Sequence, residues 1–155
     1  MTGKRFLGAL CVVFCLILTG CGGDKAEVRP FEAADVDTIL ASSVFTDDLQ
    51  QVDAELVYGL YGLSADAVTD CTAYMSTGAS AEEIVLFTAA DESGVEAIQS
   101  ACDWRVEDQT FGYKDYKPTE VPKLENAIVE VRGNTVLFVV ANDWEGAAEA
   151  ITGLE

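Results

Sequence analysis

The side chains that could act as nucleophiles lack their usual partner, because the chain contains no histidine. That absence excludes the Ser-His and Cys-His pairs that activate most side-chain nucleophiles. Arg105, three positions after Cys102, could lower the pKa of that thiol, whereas Asp103 acts in the opposite sense. We therefore expect no catalytic residue and expect Cys71 and Cys102 to be small buried side chains. Whether the two cysteines pair as a disulfide stays open here.

The 27 acidic residues are a second candidate for chemistry, as calcium ligands or as an acid pair for hydrolysis. None of the tightest groups has the alternating spacing, with a glycine and a closing glutamate, that a calcium loop needs. Two cysteines without histidine or a Cys-x-x-Cys spacing do not make a zinc site, so we expect no metal and no cofactor. The tightest groups are Asp35/Asp37, Asp47/Asp48, Glu82/Glu83 and Asp91/Glu92.

A carboxylate-dependent hydrolase would require two of these groups to face each other across a cleft. We favour instead the interpretation that they are solvated charges, which keep an acidic domain soluble. Glu82 and Glu83 precede the apolar run Ile84-Val85-Leu86-Phe87 directly. We therefore expect one of these two glutamates to point to solvent.

The segment from Trp104 to Lys123 combines aromatic and basic side chains in a stretch interrupted by two prolines. Long irregular loops rich in aromatic residues are where binding tends to occur, so we predict an interaction surface here. Its locally basic character would suit an anionic polymer or a partner carboxylate. The alternative is that the aromatic rings fill the edge of the core. The predicted surface consists of Trp104, Phe111, Tyr113, Lys114, Tyr116, Lys117 and Lys123.

The beginning of the chain predicts a covalent modification at Cys21. Lys4 and Arg5 are followed by a 13-residue apolar run and then by Leu18-Thr19-Gly20-Cys21. A positive start, an apolar stretch of this length and a small residue at the cut are typical of a secretory signal. The run is shorter than the ~20 residues that span a bilayer. The Leu-Thr-Gly-Cys ending resembles a bacterial lipobox, so we expect cleavage after Gly20 and lipidation of Cys21.

Cleavage there would leave one acidic domain on a lipid anchor. We assign residues 1–20 to the signal peptide, 21–34 to the lipidated cysteine and a flexible linker, and 35–155 to a single globular domain. Losing Lys4 and Arg5 leaves 7 basic and 27 acidic residues, a formal charge of -20. Such a surface repels nucleic acid and anionic headgroups, so we expect no nucleic-acid partner and contact with the membrane only through the anchor.

The hydrophobic pattern alternates between helical and strand periods along the domain. Val36, Ile39 and Leu40 predict a first helix, and Leu49, Val52 and Leu56 continue at helical spacing. Alternation from residue 71 to 75 and the run at 84–87 predict a hairpin, followed by a helix over about 93–108 and an irregular stretch over 111–124. Residues 128–131 and 136–140 predict a second hairpin, with Gly133-Asn134 at its tip, and a final helix follows.

This order, α-ββα-ββα, predicts the α+β class. We expect an antiparallel sheet of about four strands, arranged as two hairpins, with helices packed on one face.

Several segments are similar to a known family. They are Ser76-Thr77-Gly78-Ala79-Ser80-Ala81-Glu82-Glu83-Ile84, Tyr116-Lys117-Pro118, Val121-Pro122-Lys123-Leu124-Glu125-Asn126-Ala127 and Arg132-Gly133-Asn134. Together they resemble the uncharacterised bacterial lipoprotein family known as domain of unknown function 4358, over roughly residues 35–152. The resemblance implies a Gram-positive cell envelope and a diacylglyceryl anchor on Cys21, and it brings no catalytic residues.

These observations lead us to expect a membrane-anchored lipoprotein at the extracytoplasmic face, acting as a non-enzymatic module that binds a protein or a small ligand. The alternatives are an accessory or structural lipoprotein of an envelope complex and a carboxylate-dependent hydrolase.

Overall fold

A computed structural model of the chain describes residues 28–154. The predicted signal peptide, its cleavage site and Cys21 lie outside the described residues. The elements in chain order are α1 (Ala33–Ala41), β1 (Gln50–Val52), α2 (Ala54–Tyr61), β2 (Val68–Met75), β3 (Glu83–Ala89), α3 (Glu92–Tyr116), α4 (Val121–Glu125), β4 (Ile128–Arg132), β5 (Thr135–Val140) and α5 (Trp144–Thr152). No helix within these residues is both long and apolar enough to cross a bilayer.

The strands form one antiparallel sheet in the order β1-β2-β3-β5-β4. The α+β class and both hairpins are confirmed, and the sheet has five strands where we expected about four. The additional strand is β1, whose three residues pair with the end of β2. Its neighbours Leu49, Val52 and Leu56 happen to fall at helical spacing, and so short a strand leaves no period-2 signal.

The helices cover both faces of the sheet, so the expectation that they pack on one face was wrong. Helices α2, α3 and α4 pack on the face that carries Val85 and Phe87, whereas α1 and α5 pack on the face that carries Ile84 and Leu86. The cause lies in β3 and β5, which are buried on both sides. A central strand that is apolar on both faces requires a cover on each, because either face left in water would expose a large apolar surface.

Helix α3 is longer than predicted. It begins as expected, with the Asp91 side chain accepting a hydrogen bond from the Gly94 amide (2.9 Å), but continues to Tyr116. A 3-10 turn (Pro118–Glu120) and α4 follow, so most of the stretch predicted to be irregular is helical. Pro118 is the first residue of the 3-10 turn and Pro122 the second residue of α4, positions where a missing amide proton leaves no helical hydrogen bond unmade.

The length of α3 decides the shape of one end of the molecule. Its 25 residues extend about 37 Å, whereas the seven residues of β3 extend about 23 Å. Gly94 contacts the end of β3 at Ala89, and Arg105 reaches the beginning of β3 at Glu83. The eleven residues after Arg105 therefore pass beyond the sheet.

The chain enters the fold at the opposite end of the sheet. The Phe31 amide donates to Thr135 Oγ1 (2.9 Å), and Phe31 is buried against α1 and α5. Arg29 holds the Asp35 carboxylate through two hydrogen bonds of 2.8 Å. These residues lie beside the tip of the β4–β5 hairpin, where Gly133 adopts a positive φ of 59° that favours glycine. Part of the predicted linker, residues 28–34, is thus ordered against the domain.

Candidate functional site

An open cleft of about 520 Å³ lies where α3 passes beyond the sheet. The overhanging turns of α3 form one wall, and the β2–β3 connection, residues 76–82, forms the other. The volume lies in the range of small-ligand pockets, about 300–1,000 Å³. The cleft is lined by Leu60, Met75, Ser76, Gly78, Ser80, Ala81, Glu82, Glu83, Arg105, Asp108, Gln109, Phe111, Gly112, Tyr113 and Tyr116.

Aromatic side chains make up much of the α3 wall. Phe111 and Tyr116 are 71% and 79% exposed, which is unusual for rings of this size in a folded domain. Tyr113 is partly buried, and its hydroxyl donates to the Ser80 carbonyl oxygen (2.7 Å), which joins the two walls. Burial raises the pKa of Tyr113, and the nearby Glu120 and Glu83 carboxylates add to the effect. An occupant of the cleft would contact the exposed Phe111 and Tyr116 rings of α3.

A buried ion pair closes the cleft from below. Arg105 donates from Nε and Nη2 to the two Glu83 carboxylate oxygens, both at 3.0 Å. Burial raises the pKa of Glu83 despite this partner, whereas the pKa of Arg105 is raised by Glu83 against the opposing effect of burial. The Arg105 guanidinium also lies 5.4 Å from the centre of the Tyr61 ring. The Tyr61 hydroxyl is fully buried near Glu83 without a well-formed hydrogen bond.

A second buried network supports the connecting wall. Lys123 donates to Glu82 Oε1 (2.6 Å) and pairs with Glu120 Oε2 (3.0 Å). Glu82 also accepts from the Thr46 hydroxyl and amide, and Glu120 accepts from the Ala81 amide (3.1 Å). Burial opposes ionisation of both glutamates, but these partners prevail and lower the pKa of each.

Both Glu82 and Glu83 are thus buried, and our expectation that one of them points to solvent was wrong. Their exposed fractions are 1% and 2%. Each meets a cation from the α3–α4 region, Lys123 for Glu82 and Arg105 for Glu83, which makes the burial of two carboxylates tolerable.

Asp47 binds the two serines of the β2–β3 connection, Ser76 and Ser80. Asp47 Oδ2 accepts from the Ser76 hydroxyl (2.5 Å) and the Ser80 hydroxyl (2.8 Å), and these bonds lower the pKa of Asp47. Ser76 Oγ in turn accepts from the Ser80 amide (2.9 Å). The connection is therefore held from three sides, by Asp47, by the Lys123 network and by Tyr113.

The structure places the residues of the predicted interaction surface in different environments. Phe111, Tyr113 and Tyr116 line the cleft together. Lys114 lies over the Phe111 ring, 4.2 Å from its centre. Lys117 donates to the Ala79 carbonyl oxygen and pairs with Glu120 (3.1 Å).

The other two members lie elsewhere. Trp104 is half exposed on α3 outside the cleft lining, and Lys123 is buried. The prediction thus located one wall and overlooked Arg105, Asp108 and residues 76–83. A signal for Arg105 was present, since it falls on the buried stripe with Ile98 and Cys102, where a charge requires a buried partner.

The two cysteines have the chemistry of buried side chains. Both are free thiols, Cys102 fully buried and Cys71 partly. Burial raises the pKa of Cys71 to about 12 and raises the pKa of Cys102 as well, so little reactive thiolate forms near neutral pH. Within residues 28–154, no group of three or more metal-binding side chains could hold an ion.

Fold and cleft together define a small α+β domain with helices on both faces of an antiparallel sheet and an aromatic-walled cleft at one end. The chain belongs to the family described as Domain of unknown function (DUF4358), whose model matches residues 41–141. The matched range contains both walls of the cleft. No curated protein and no solved structure matches the chain significantly.

Proposed function

We propose that this chain is a lipoprotein anchored through Cys21 at the extracytoplasmic face of the membrane, and that it binds a ligand or partner segment in the cleft without catalysis. The observation that carries the binding role is the cleft itself, with exposed aromatic rings on a helix that overhangs the sheet. Exposed aromatic residues on a rigid element are typical of binding surfaces.

The charged groups of the cleft support binding rather than carboxylate hydrolysis. Glu83 is held by Arg105, and Glu82 is held by Lys123. A general acid or base needs a free proton position within reach of a substrate. Carboxylates whose oxygens are already committed to cations are poorly suited to that task, and these contacts fix the walls instead.

The place where the described chain joins the domain also supports this role. Residues 28–31 lie at the tip of the β4–β5 hairpin, whereas the cleft lies at the beginning of β3. These two ends of β3 are separated by six residue steps, about 20 Å. An anchor on Cys21 would hold the hairpin end toward the membrane and leave the cleft accessible from outside.

The binding role is tested by photo-crosslinking in cells, with p-benzoylphenylalanine in place of Tyr116 in the full chain. We expect a discrete adduct that is lost when Gly112→Leu is added, because a side chain at Gly112 would enter the cleft. A Cβ at Gly112 meets no atom within 4 Å, so the fold should tolerate it.

The matched control is Gly59→Leu, in equally open space on α2 outside the cleft lining. It should leave the adduct unchanged. Absence of any adduct at Tyr116, or adducts insensitive to Gly112→Leu, would contradict the binding role.

The anchor is tested separately by Cys21→Ala. We expect this change to move the protein out of the membrane fraction or to stall processing of the precursor. Unchanged partition of Cys21→Ala into membranes, together with an unmodified Cys21 in the parent chain by mass spectrometry, would refute the anchor and leave the cleft proposal standing.

A further inference from the structure

We propose that the occupant of the cleft is a basic segment of a partner protein, which places a lysine or arginine side chain among the aromatic rings beside Asp108. This inference rests on the proposed binding role and names the chemistry of the ligand. It differs from the anionic ligand that the lysine-rich sequence suggested, because the structure shows what those lysines already bind.

Nearly every basic residue in the described part of the chain already pairs with one of the chain's own carboxylates. Of the six basic residues in 28–154, five form ion pairs with the chain's own carboxylates. The sixth, Lys114, lies over the Phe111 ring. Only five of the 24 acidic residues in the same range belong to those pairs. The charge offered to a partner is therefore almost entirely negative, and attraction at long range selects a basic one.

The same asymmetry holds inside the cleft. Its four charged lining residues are Glu82, Glu83, Arg105 and Asp108. The first three are held in ion pairs, whereas Asp108 forms no ion pair within the described chain and acts on Arg105 only at longer range, where it helps to raise the pKa of that guanidinium. Asp108 precedes Phe111 by three positions on α3, so carboxylate and ring are neighbours on one helix face. A lysine or arginine side chain could contact both, with its charge near the Asp108 carboxylate and its apolar stem against the Phe111 ring.

The Phe111 ring already contacts one ammonium group of the chain. Lys114 Nζ lies 4.2 Å from the ring centre, within the distance of a cation–π contact. Tyr116 adds a second exposed ring in the same cleft. Rings of this kind with a nearby carboxylate form the usual recognition site for a protonated amine or guanidinium.

A peptide suits this surface better than an isolated amine, because the exposed aromatic face continues beyond the cleft. Trp104 is 48% exposed and precedes Phe111 by seven residues, two turns along the same face of α3. Glu107 and Asp108 lie between the two rings. A chain that enters the cleft could follow this face for about a further 10 Å.

The test is calorimetric titration of the full chain, purified in a nonionic detergent, with the peptide acetyl-Ala-Lys-Ala-Lys-Ala-amide, with detergent alone as the blank. The matched peptide carries N-acetyllysine at both positions, which keeps the stem and removes the charge. We expect the basic peptide to bind at least tenfold more tightly than its acetylated form. Equal affinities, or n-butylammonium binding as tightly as the peptide, would overturn the proposal.

Variants assign the binding to the cleft. Asp108→Asn should lower the affinity for the basic peptide about fivefold at low salt, and Gly112→Leu should abolish binding. Glu96→Gln makes the same change of charge at an exposed position of α3 outside the cleft and should have little effect. An equal loss from Glu96→Gln would show that only net charge matters and would overturn the site. A persistent crosslink at Tyr116 without peptide binding would overturn the ligand class alone, since the binding role would stand.

Discussion

At the scale of single residues, lysines that look equivalent in the sequence perform different tasks. Lys117 is partly exposed and pairs with one carboxylate, whereas Lys123 is buried between two, Glu82 and Glu120. An exposed pair contributes about 0–1 kcal/mol, because water screens it and the side chains lose freedom. Removing one partner of a buried pair leaves an uncompensated charge and costs several times more.

Lys123→Met should therefore lower the free energy of unfolding by about 3–5 kcal/mol, because Glu82 and Glu120 both lose their shared cation. The matched change Lys117→Met should cost no more than about 1 kcal/mol. Urea denaturation followed by circular dichroism measures both. Similar small losses in the two variants would mean that Lys123 belongs to the surface, as the sequence first suggested.

At the scale of elements, α3 is closely packed at Gly94, near its beginning, and has open space at Gly112, near its end. A Cβ at Gly94 would lie 2.6 Å from the Ala67 carbonyl oxygen, so the helix approaches the short 3-10 turn Ala65–Ala67, which precedes β2, more closely than any other residue type allows. Gly112 has open space around it. The same glycine-to-alanine change thus has opposite consequences at the two ends.

Gly94→Ala should destabilise the domain by about 1–3 kcal/mol, since backbone must shift to accommodate the methyl group. Gly112→Ala should stabilise it by up to about 1 kcal/mol, because alanine favours a helix interior and nothing opposes it here. Thermal melting measures both effects: relative to the parent chain, Tm should fall in Gly94→Ala and rise in Gly112→Ala. A stable Gly94→Ala variant would show that α3 is not docked as closely as described.

The sequence predicted the elements with strong local signals and missed features that depend on distant contacts. The alternation in β2 and the Gly133-Asn134 turn are local, and both hairpins were correct. The Arg105–Glu83 pair joins residues 22 positions apart, and no spacing rule places them together. The aromatic wall was found from composition, but its partner wall was not, because serines and glycines in a short connection also suit an ordinary turn.

At the scale of the whole molecule, the partnered carboxylates set how stability depends on pH. Hydrogen bonds and cations lower the pKa of five carboxyl groups in the folded state, those of Asp35, Asp47, Glu82, Asp91 and Glu120. The folded state then binds fewer protons than the unfolded one, so this stability is present above the unfolded pKa values and is lost as pH falls through the folded ones. Glu83 acts oppositely, because burial raises its pKa.

Five carboxyl groups with a lowered pKa against one with a raised pKa predict a net loss of stability below about pH 4, where unfolded carboxyl groups take up protons. Urea midpoints measured between pH 7 and pH 3 should fall, and the fall should be shallower in Glu82→Gln than in the parent. A midpoint that rises on acidification would mean that relief of the overall negative charge outweighs these contacts.

The ends of the sheet should also differ in their distance from the lipid surface. A fluorophore on Asn134→Cys, at the hairpin tip, should be quenched by spin-labelled headgroups more strongly than one on Thr77→Cys beside the cleft. Cys71 should not compete for the label, because burial raises its pKa to about 12. Equal quenching at both positions would mean that the anchored domain has no preferred orientation.

The overhang of α3 has a consequence for the order of the helix itself. The last turns of α3 extend past the beginning of β3 and are held by Tyr113, Lys117 and the turn that follows. A ligand bound in the cleft would add contacts to these turns, so occupancy of the cleft and resistance of the helix end to fraying rise together by linkage. Lower deuterium uptake at residues 108–116 would thus report that the cleft is occupied, even when the ligand has not been identified.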